Sequence, residues 1–117
     1  MGSILVTGCS GLVGTHLVHK LLDKGYSVVG IDLVKSQHLP DNSDNFTFDF
    51  MDLRDADDVN VLFNSIKFDG VINAFGIKGS PIRAKENPLD FLEPSIKVNT
   101  NIIENSHKHN CWLVFMS

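Results

Sequence analysis

Ile4-Leu5-Val6-Thr7-Gly8-Cys9-Ser10-Gly11-Leu12-Val13-Gly14 joins an apolar run to a helix-like one, with Gly8, Gly11 and Gly14 spaced three apart. Ser3 to Val6 reads as a buried parallel strand. Leu12, Val13, His16, Leu17, Lys20, Leu21 and Leu22 follow at helical spacing, and the pattern stops at Lys24-Gly25. Basic residues suit the last turn of a helix and a glycine ends it. Three glycines at a strand–helix joint are how a chain wraps a dinucleotide pyrophosphate. Gly8 supplies a tight turn of positive φ, Gly11 lets phosphate approach the backbone, and Gly14 lets the helix pack closely on the strand. Free N–H groups at the helix start then face the negative charge. A purely structural turn is the alternative; a P-loop is disfavoured because no Gly-Lys-Ser/Thr follows.

Outward from this turn, Tyr26 to Leu33 reads as a second strand, with Asp32 at its carboxyl end, 18 residues beyond Gly14. A carboxylate there can accept both ribose hydroxyls of an adenosine and would repel a 2′-phosphate, which argues for NAD over NADP. The alternative is a strand-end Asp that caps its own loop, and Lys35 is the nearest positive side chain. Ser36 to Asn45 is a loop by composition. Phe46 to Met51 is a third strand followed by Asp52, which could accept from an adenine amino group with Leu53 packing beside it. Equally, Asp52 could be the N-cap of the helix that follows. That helix spans Asp55 to Ile66, with an acidic first turn and an apolar face of Val59, Leu62, Phe63 and Ile66. Asp49, Asp55, Asp57 and Asp58 read as surface or cap residues.

Phe68-Asp69-Gly70 turns the chain into a fourth strand, Val71 to Ala74. A long polar loop from Gly76 to Pro88 carries Lys78, Arg83 and Lys85, which could approach a substrate phosphate or simply be solvated. Leu89 to His109 reads as a helix that could break near Pro94, and Cys111 to Met116 is a fifth strand. Strands alternating with helices imply a parallel sheet covered on both faces. The expected fold is α/β: a doubly wound parallel sheet of about five strands, truncated after strand five. Such an end would leave strand five uncovered and an apolar face exposed.

The 117 residues allow one domain at most, and a hydrophobic fraction of 43% supports a core. A formal charge of −4 and a pI near 5.6 argue against a nucleic-acid partner. Cys9 and Cys111 do not suggest a disulfide framework. No signal peptide and no run long enough to span a membrane are read, so a cytoplasmic protein with no membrane partner is expected. His16, His38, His107 and His109 have no metal-binding spacing with the cysteines, and no metal site is expected. Tyr26, with no Lys four residues on, reads as structural. Trp112 and Phe115 read as core or helix-packing residues, and Phe48, Phe50, Phe63 and Phe68 as packing rather than base-stacking residues.

With the glycine turn, Asp32, Asp52 and the fourth strand in place, the sequence resembles the extended short-chain dehydrogenase/reductase family, the NAD-dependent epimerases, dehydratases and reductases of nucleotide sugars. Thr7 to Gly14 is similar to that family's T-G-x-x-G-x-x-G, and Asp52-Leu53-Arg54-Asp55 to its D-L-R-D after strand three. Val71-Ile72-Asn73-Ala74-Phe75-Gly76 stands where the family has V-I-H-L-A-A, with Asn73 replacing the His and Phe75 an Ala. Asn101-Ile102-Ile103-Glu104 matches N-L-L-E. The family's crevice Asn falls on Ser95, with Asn99 one turn later as a candidate for its role.

The resemblance implies a Rossmann-type fold and NAD as cofactor, and residues 1–117 would be the amino-terminal portion of one NAD(P)-binding domain, with later strands and the substrate-binding region absent. Gly8, Ser10, Gly11, Leu12, Val13, Gly14, Asp32, Asp52, Leu53, Ala74, Phe75 and Gly76 would contact the cofactor. The family's Tyr-x-x-x-Lys pair has no counterpart, and Ser117 matches only the first serine of the motif after strand five. No catalytic residue is therefore expected in these 117 residues. The expectation is an enzyme fragment, inactive alone, whose parent acts on a nucleotide sugar and is compatible with a homodimer. A non-catalytic NAD-binding or regulatory protein is the alternative.

Overall fold

Five strands lie side by side in the order β3-β2-β1-β4-β5, all parallel. The computed structural model describes residues 2–75 and 89–116, with backbone alone for 89–95. The strands are β1 (Ser3–Thr7), β2 (Ser27–Asp32), β3 (Phe46–Phe50), β4 (Gly70–Asn73) and β5 (Trp112–Phe115), and the helices α1 (Leu12–Asp23), α2 (Ala56–Ser65) and α3 (Leu89–Lys108). The expected doubly wound sheet is therefore the observed one. α3 is one helix through Pro94, so the possible break there does not occur. Gly76 to Pro88, with Lys78, Arg83 and Lys85, lies outside the described residues, as does Ser117.

Alternation along the strands sends side chains to two cores. Ile4, Val6, Val28, Phe46, Phe48 and Ile72 pack beneath α1 around its Val18. Leu5, Ile31 and Val71 face the other way and meet Val59, Leu62 and Phe63 of α2 and Val98 and Ile102 of α3. Each such side chain, fully buried, contributes about 1.5–3 kcal/mol. The apolar face read for α2 is the one it buries, with Ile66 partly covered at its end.

α1 sits differently from its simple apolar pattern. It turns Gly14 and Val18 inward and packs Leu17, Leu21 and Leu22 at the margin. Leu12 is 85% exposed and Val13 is also in solvent. Both belong to the first turn, directly after the glycine turn, on the side of the helix away from buried Gly14 and Val18. Tyr26 packs against the α1-side core, as a structural residue.

Three aromatic expectations are corrected. Phe50 is 63% exposed, and it leans edge-on against Phe48, with ring centroids 4.9 Å apart. Trp112 and Phe115 are about half exposed rather than core. β5 is a sheet edge bonded on one side, to β4, and Trp112 lies flat against Gly70 instead of entering a core. The apolar surface expected at strand five is present in Trp112, Val114, Phe115 and Met116.

Candidate functional site

The carboxyl ends of β1, β2 and β4 meet at the turn Gly8–Gly11, and the end of β3 lies beside that of β2. Gly8 has φ +68°. A Cβ placed on it would lie 2.6 Å from the Phe75 backbone nitrogen, so only glycine fits against the end of β4. At Gly14 a Cβ would lie 2.2 Å from the Gly8 carbonyl oxygen and 2.8 Å from Cys9 Cα. The first and third glycines thus serve the roles read from sequence: a left-handed turn and a close helix–strand approach.

Backbone bonds fix the turn. Gly8 N–H donates to Ile31 O at 2.9 Å, Gly11 N–H to Gly8 O at 3.2 Å and Ala74 N–H to Thr7 O at 3.0 Å. The Thr15 hydroxyl donates to Cys9 O at 2.9 Å. Gly11 is the N-cap of α1, without a side-chain cap and without an acidic residue in the first turn. The first N–H groups of this helix are therefore left for an external acceptor, and the helix dipole favours an anion there.

Asp32 stands at the end of β2 and binds the turn directly. Its Oδ2 accepts from Ser10 N–H at 2.9 Å and its Oδ1 from Leu33 N–H at 2.6 Å. Each oxygen retains a lone pair for a further donor, so loop capping and hydroxyl recognition are compatible in one carboxylate. Ser10 Oγ donates to Val34 O and accepts from Ser36 N–H at 2.9 Å, which ties the loop after β2 to the glycine turn. Beneath them, burial first and then the Asp32 charge push the Cys9 thiol up to about 12, so it stays protonated and unreactive near neutrality.

At the end of β3, Asp55 rather than Asp52 caps α2: its Oδ1 accepts from Asp57 N–H at 3.0 Å and Asp58 N–H at 3.2 Å. The cap alternative for Asp52 is thereby excluded, because the helix starts three residues later than that reading needs. Asp52 instead pairs with Arg54, Nη2 to Oδ2 at 2.6 Å, and this contact holds its carboxyl below the ordinary carboxylate value. The Leu53 side chain is buried in the α2–α3 core, so what it can offer a ligand is its backbone.

Sequence reading missed a polar chain under the β1 and β4 ends. The buried Thr7 hydroxyl donates to Asn73 Oδ1, which also accepts from Phe75 N–H at 3.3 Å, and Asn73 Nδ2 donates to Asn99 Oδ1 at 2.9 Å. The signal was Asn73, already noted as a departure from the family pattern, and Asn99, already noted as a candidate for the crevice Asn. Asn99 thus reaches the crevice end of β4, while the Ser95 side chain lies outside the description. Asn101, noted only as part of N-I-I-E, donates to Leu53 O at 2.8 Å and anchors the Asp52 turn.

Gly8, Ser10, Gly11, Leu12, Val13, Gly14, Asp32, Asp52, Ala74 and Phe75 are thus gathered along one edge of the sheet. Gly76 lies outside the described residues. Among those described, no three His, Cys, Asp or Glu stand together to hold a metal, and no helix is long and apolar enough to cross a membrane.

The sequence profile of the NAD dependent epimerase/dehydratase family matches residues 4–117. The chain belongs to that family. A UDP-glucose 4-epimerase of Pisum sativum is 35% identical over 119 residues, covering 92% of this chain and 34% of the relative. The Bordetella bronchiseptica enzyme WbmH, solved in complex with NAD+, superposes with a TM-score of 0.79 at 27% identity over 94% of this chain and 36% of that one. A monomeric L-threonine 3-dehydrogenase from a metagenome gives 0.77 at 27% identity over 94% of this chain and 34% of that one. This NAD dependent epimerase/dehydratase chain spans about a third of the length of the curated relatives it matches.

Proposed function

We propose that these residues form the cofactor-binding portion of an NAD-dependent epimerase, dehydratase or reductase that acts on a nucleotide sugar. The observation that carries the reading is the glycine turn: a φ of +68° at Gly8, no room for a Cβ against Phe75, and an uncapped α1 start beside Asp32. The residues fit the cofactor. The Gly8–Gly14 turn would take the pyrophosphate on backbone N–H groups, as glycine-rich helix starts do. Asp32 would accept the ribose hydroxyls with its remaining lone pairs, and its charge would repel a 2′-phosphate. Asp52 would meet the adenine amino group, while Leu12, Val13, Ala74, Phe75 and Gly76 would wall the crevice. Leu53 would act through its backbone.

Bound NAD supplies a hydride acceptor and donor. The described residues bind and orient; none is assigned a proton-transfer role, and that chemistry is assigned to the remainder of a longer polypeptide. Support for this division comes from the coverage of the relatives, about a third of their length. The chain alone should bind NAD weakly and turn over no sugar nucleotide. A cytoplasmic site of action and a homodimer in the full-length protein belong to the same proposal.

Calorimetric titration of the full-length protein with NAD and NADP, with turnover assayed on UDP-sugars, tests the reading. NAD affinity with UDP-sugar conversion supports it. NAD affinity without turnover of any sugar nucleotide would favour a non-catalytic binding protein.

A further inference from the structure

Asp32 and Asp52 both stand at strand ends beside the crevice, but their carboxylates are occupied to different extents. Each Asp32 oxygen accepts one hydrogen bond. Asp52 Oδ1 accepts from the Arg54 backbone N–H at 3.0 Å and from Arg54 Nε at 2.9 Å. Its Oδ2 accepts from Nη2 at 2.6 Å and shares Nε at 3.1 Å. A carboxylate offers about four lone-pair sites, and at Asp52 a single residue engages both oxygens with three N–H donors, one of them shared between the two. The backbone cannot shift to open a new one. Leu53 is buried and its carbonyl is held by Asn101, and Asp55 is committed to capping α2. A new donor therefore competes with the Arg54 side chain for the best-aligned lone pairs of Asp52. Both partners are well exposed, so displacing that side chain is inexpensive.

We propose that Arg54 competes with the adenine amino group for Asp52 and so sets the chain's preference among dinucleotides by the base they carry. The proposal rests on the reading of the crevice as an NAD site. When adenine docks, its amino group takes a lone pair that the guanidinium fork vacates. A base with a carbonyl in place of that amino group loses the exocyclic donor, keeps only a ring N1–H one position away, and turns an acceptor toward Arg54 instead of a donor toward Asp52. The arginine therefore holds NAD affinity below what the site could reach and narrows its lead over an analogue lacking the amino group.

The test is calorimetry on the full-length protein and its Arg54→Ala and Arg54→Gln variants, with NAD and with nicotinamide hypoxanthine dinucleotide. Melting curves identify a variant that has lost its fold; Gln retains most of the side-chain length. Both variants should bind NAD about 2- to 5-fold more tightly, the range that release of an exposed ion pair provides. The hypoxanthine dinucleotide should bind them no better than it binds the wild type. The acid limb of NAD affinity should also move up toward the ordinary carboxylate value, because Arg54 no longer holds Asp52 ionised. Unchanged or weaker NAD binding in both folded variants, with the wild type binding normally, would overturn the competition and leave the functional reading standing. Equal tightening of both dinucleotides would overturn the role of the amino group. No NAD binding by any of the three proteins would overturn the functional reading and this proposal together.

Discussion

The β1–α1 turn and strand β5 belong to one parallel sheet but are set by different things. In the turn, Gly8, Cys9 and Gly14 are buried, and almost every contact comes from the same stretch or from the strand ends beside it. In and just after β5, Trp112, Val114, Phe115 and Met116 are exposed, and the strand is hydrogen-bonded on one side only, to β4, with Leu113 alone of its residues packed against the core. A conformation defined by its own residues tolerates little change. A strand defined by whatever packs on it can change with small effect on this chain. In the proposed reading the same contrast separates binding from support: the cofactor would lie at the turn, while β5 contributes hydrogen bonds to the sheet.

The sharpest way to break the comparison is Gly8→Val. A side chain at φ +68° and 2.6 Å from Phe75 N cannot be accommodated without moving β4. Overpacking and left-handed strain together should cost about 3 kcal/mol or more, read as a lowered midpoint in urea. A midpoint within error of wild type would mean that the turn is not fixed as described.

Asp32→Ala comes next. Loss of charge-assisted hydrogen bonds to a ribose should weaken NAD about tenfold or more, while NADP loses less or gains. Equal losses for both cofactors would show that Asp32 does not face the ribose.

Cys9 gives a pH test of the buried turn. Its folded-state pKa is raised from 9.0 to about 12. The neutral thiol therefore contributes stability that is complete below pH 9 and is lost as pH rises toward 12. Wild type should lose stability faster than Cys9→Ala in that window, by at most about 1.4 kcal/mol per pH unit, and the native thiol should resist iodoacetamide near pH 7.5. Parallel pH profiles, or rapid labelling, would place Cys9 outside the core.

Phe115→Ser should change least. Its ring is about half exposed, so stability should move by about 0.5 kcal/mol or less, while self-association in light scattering should fall as apolar surface is removed. A loss above 2 kcal/mol would show that β5 has a packed partner within this chain.

The sequence was legible where the pattern is local. Glycine spacing, strand alternation and the face of α2 each follow from a few neighbouring residues, and the eight elements among the described residues stand where the pattern puts them. It was illegible where position depends on a neighbour distant in sequence. Leu12 and Val13 continue an apolar spacing yet are exposed, and Phe50, Trp112 and Phe115 read as packing or core residues because hydrophobicity does not say whether anything lies opposite. Asn73 and Asn99 meet across 26 residues, a pairing that no periodicity encodes. The capture of Asp52 by Arg54 depends on the shape of one turn, which composition does not specify.

The central claim is that a dinucleotide is held at the glycine edge and not at β5. Backbone amide shifts of the isotopically labelled chain, followed by NMR during NAD titration, test it most directly, since even weak binding is visible. The account predicts shifts concentrated at Gly8–Gly14, Leu33–Ser36 and Asp52–Arg54, with Trp112–Phe115 unmoved. Shifts centred on β5, or none at saturating NAD, would contradict it.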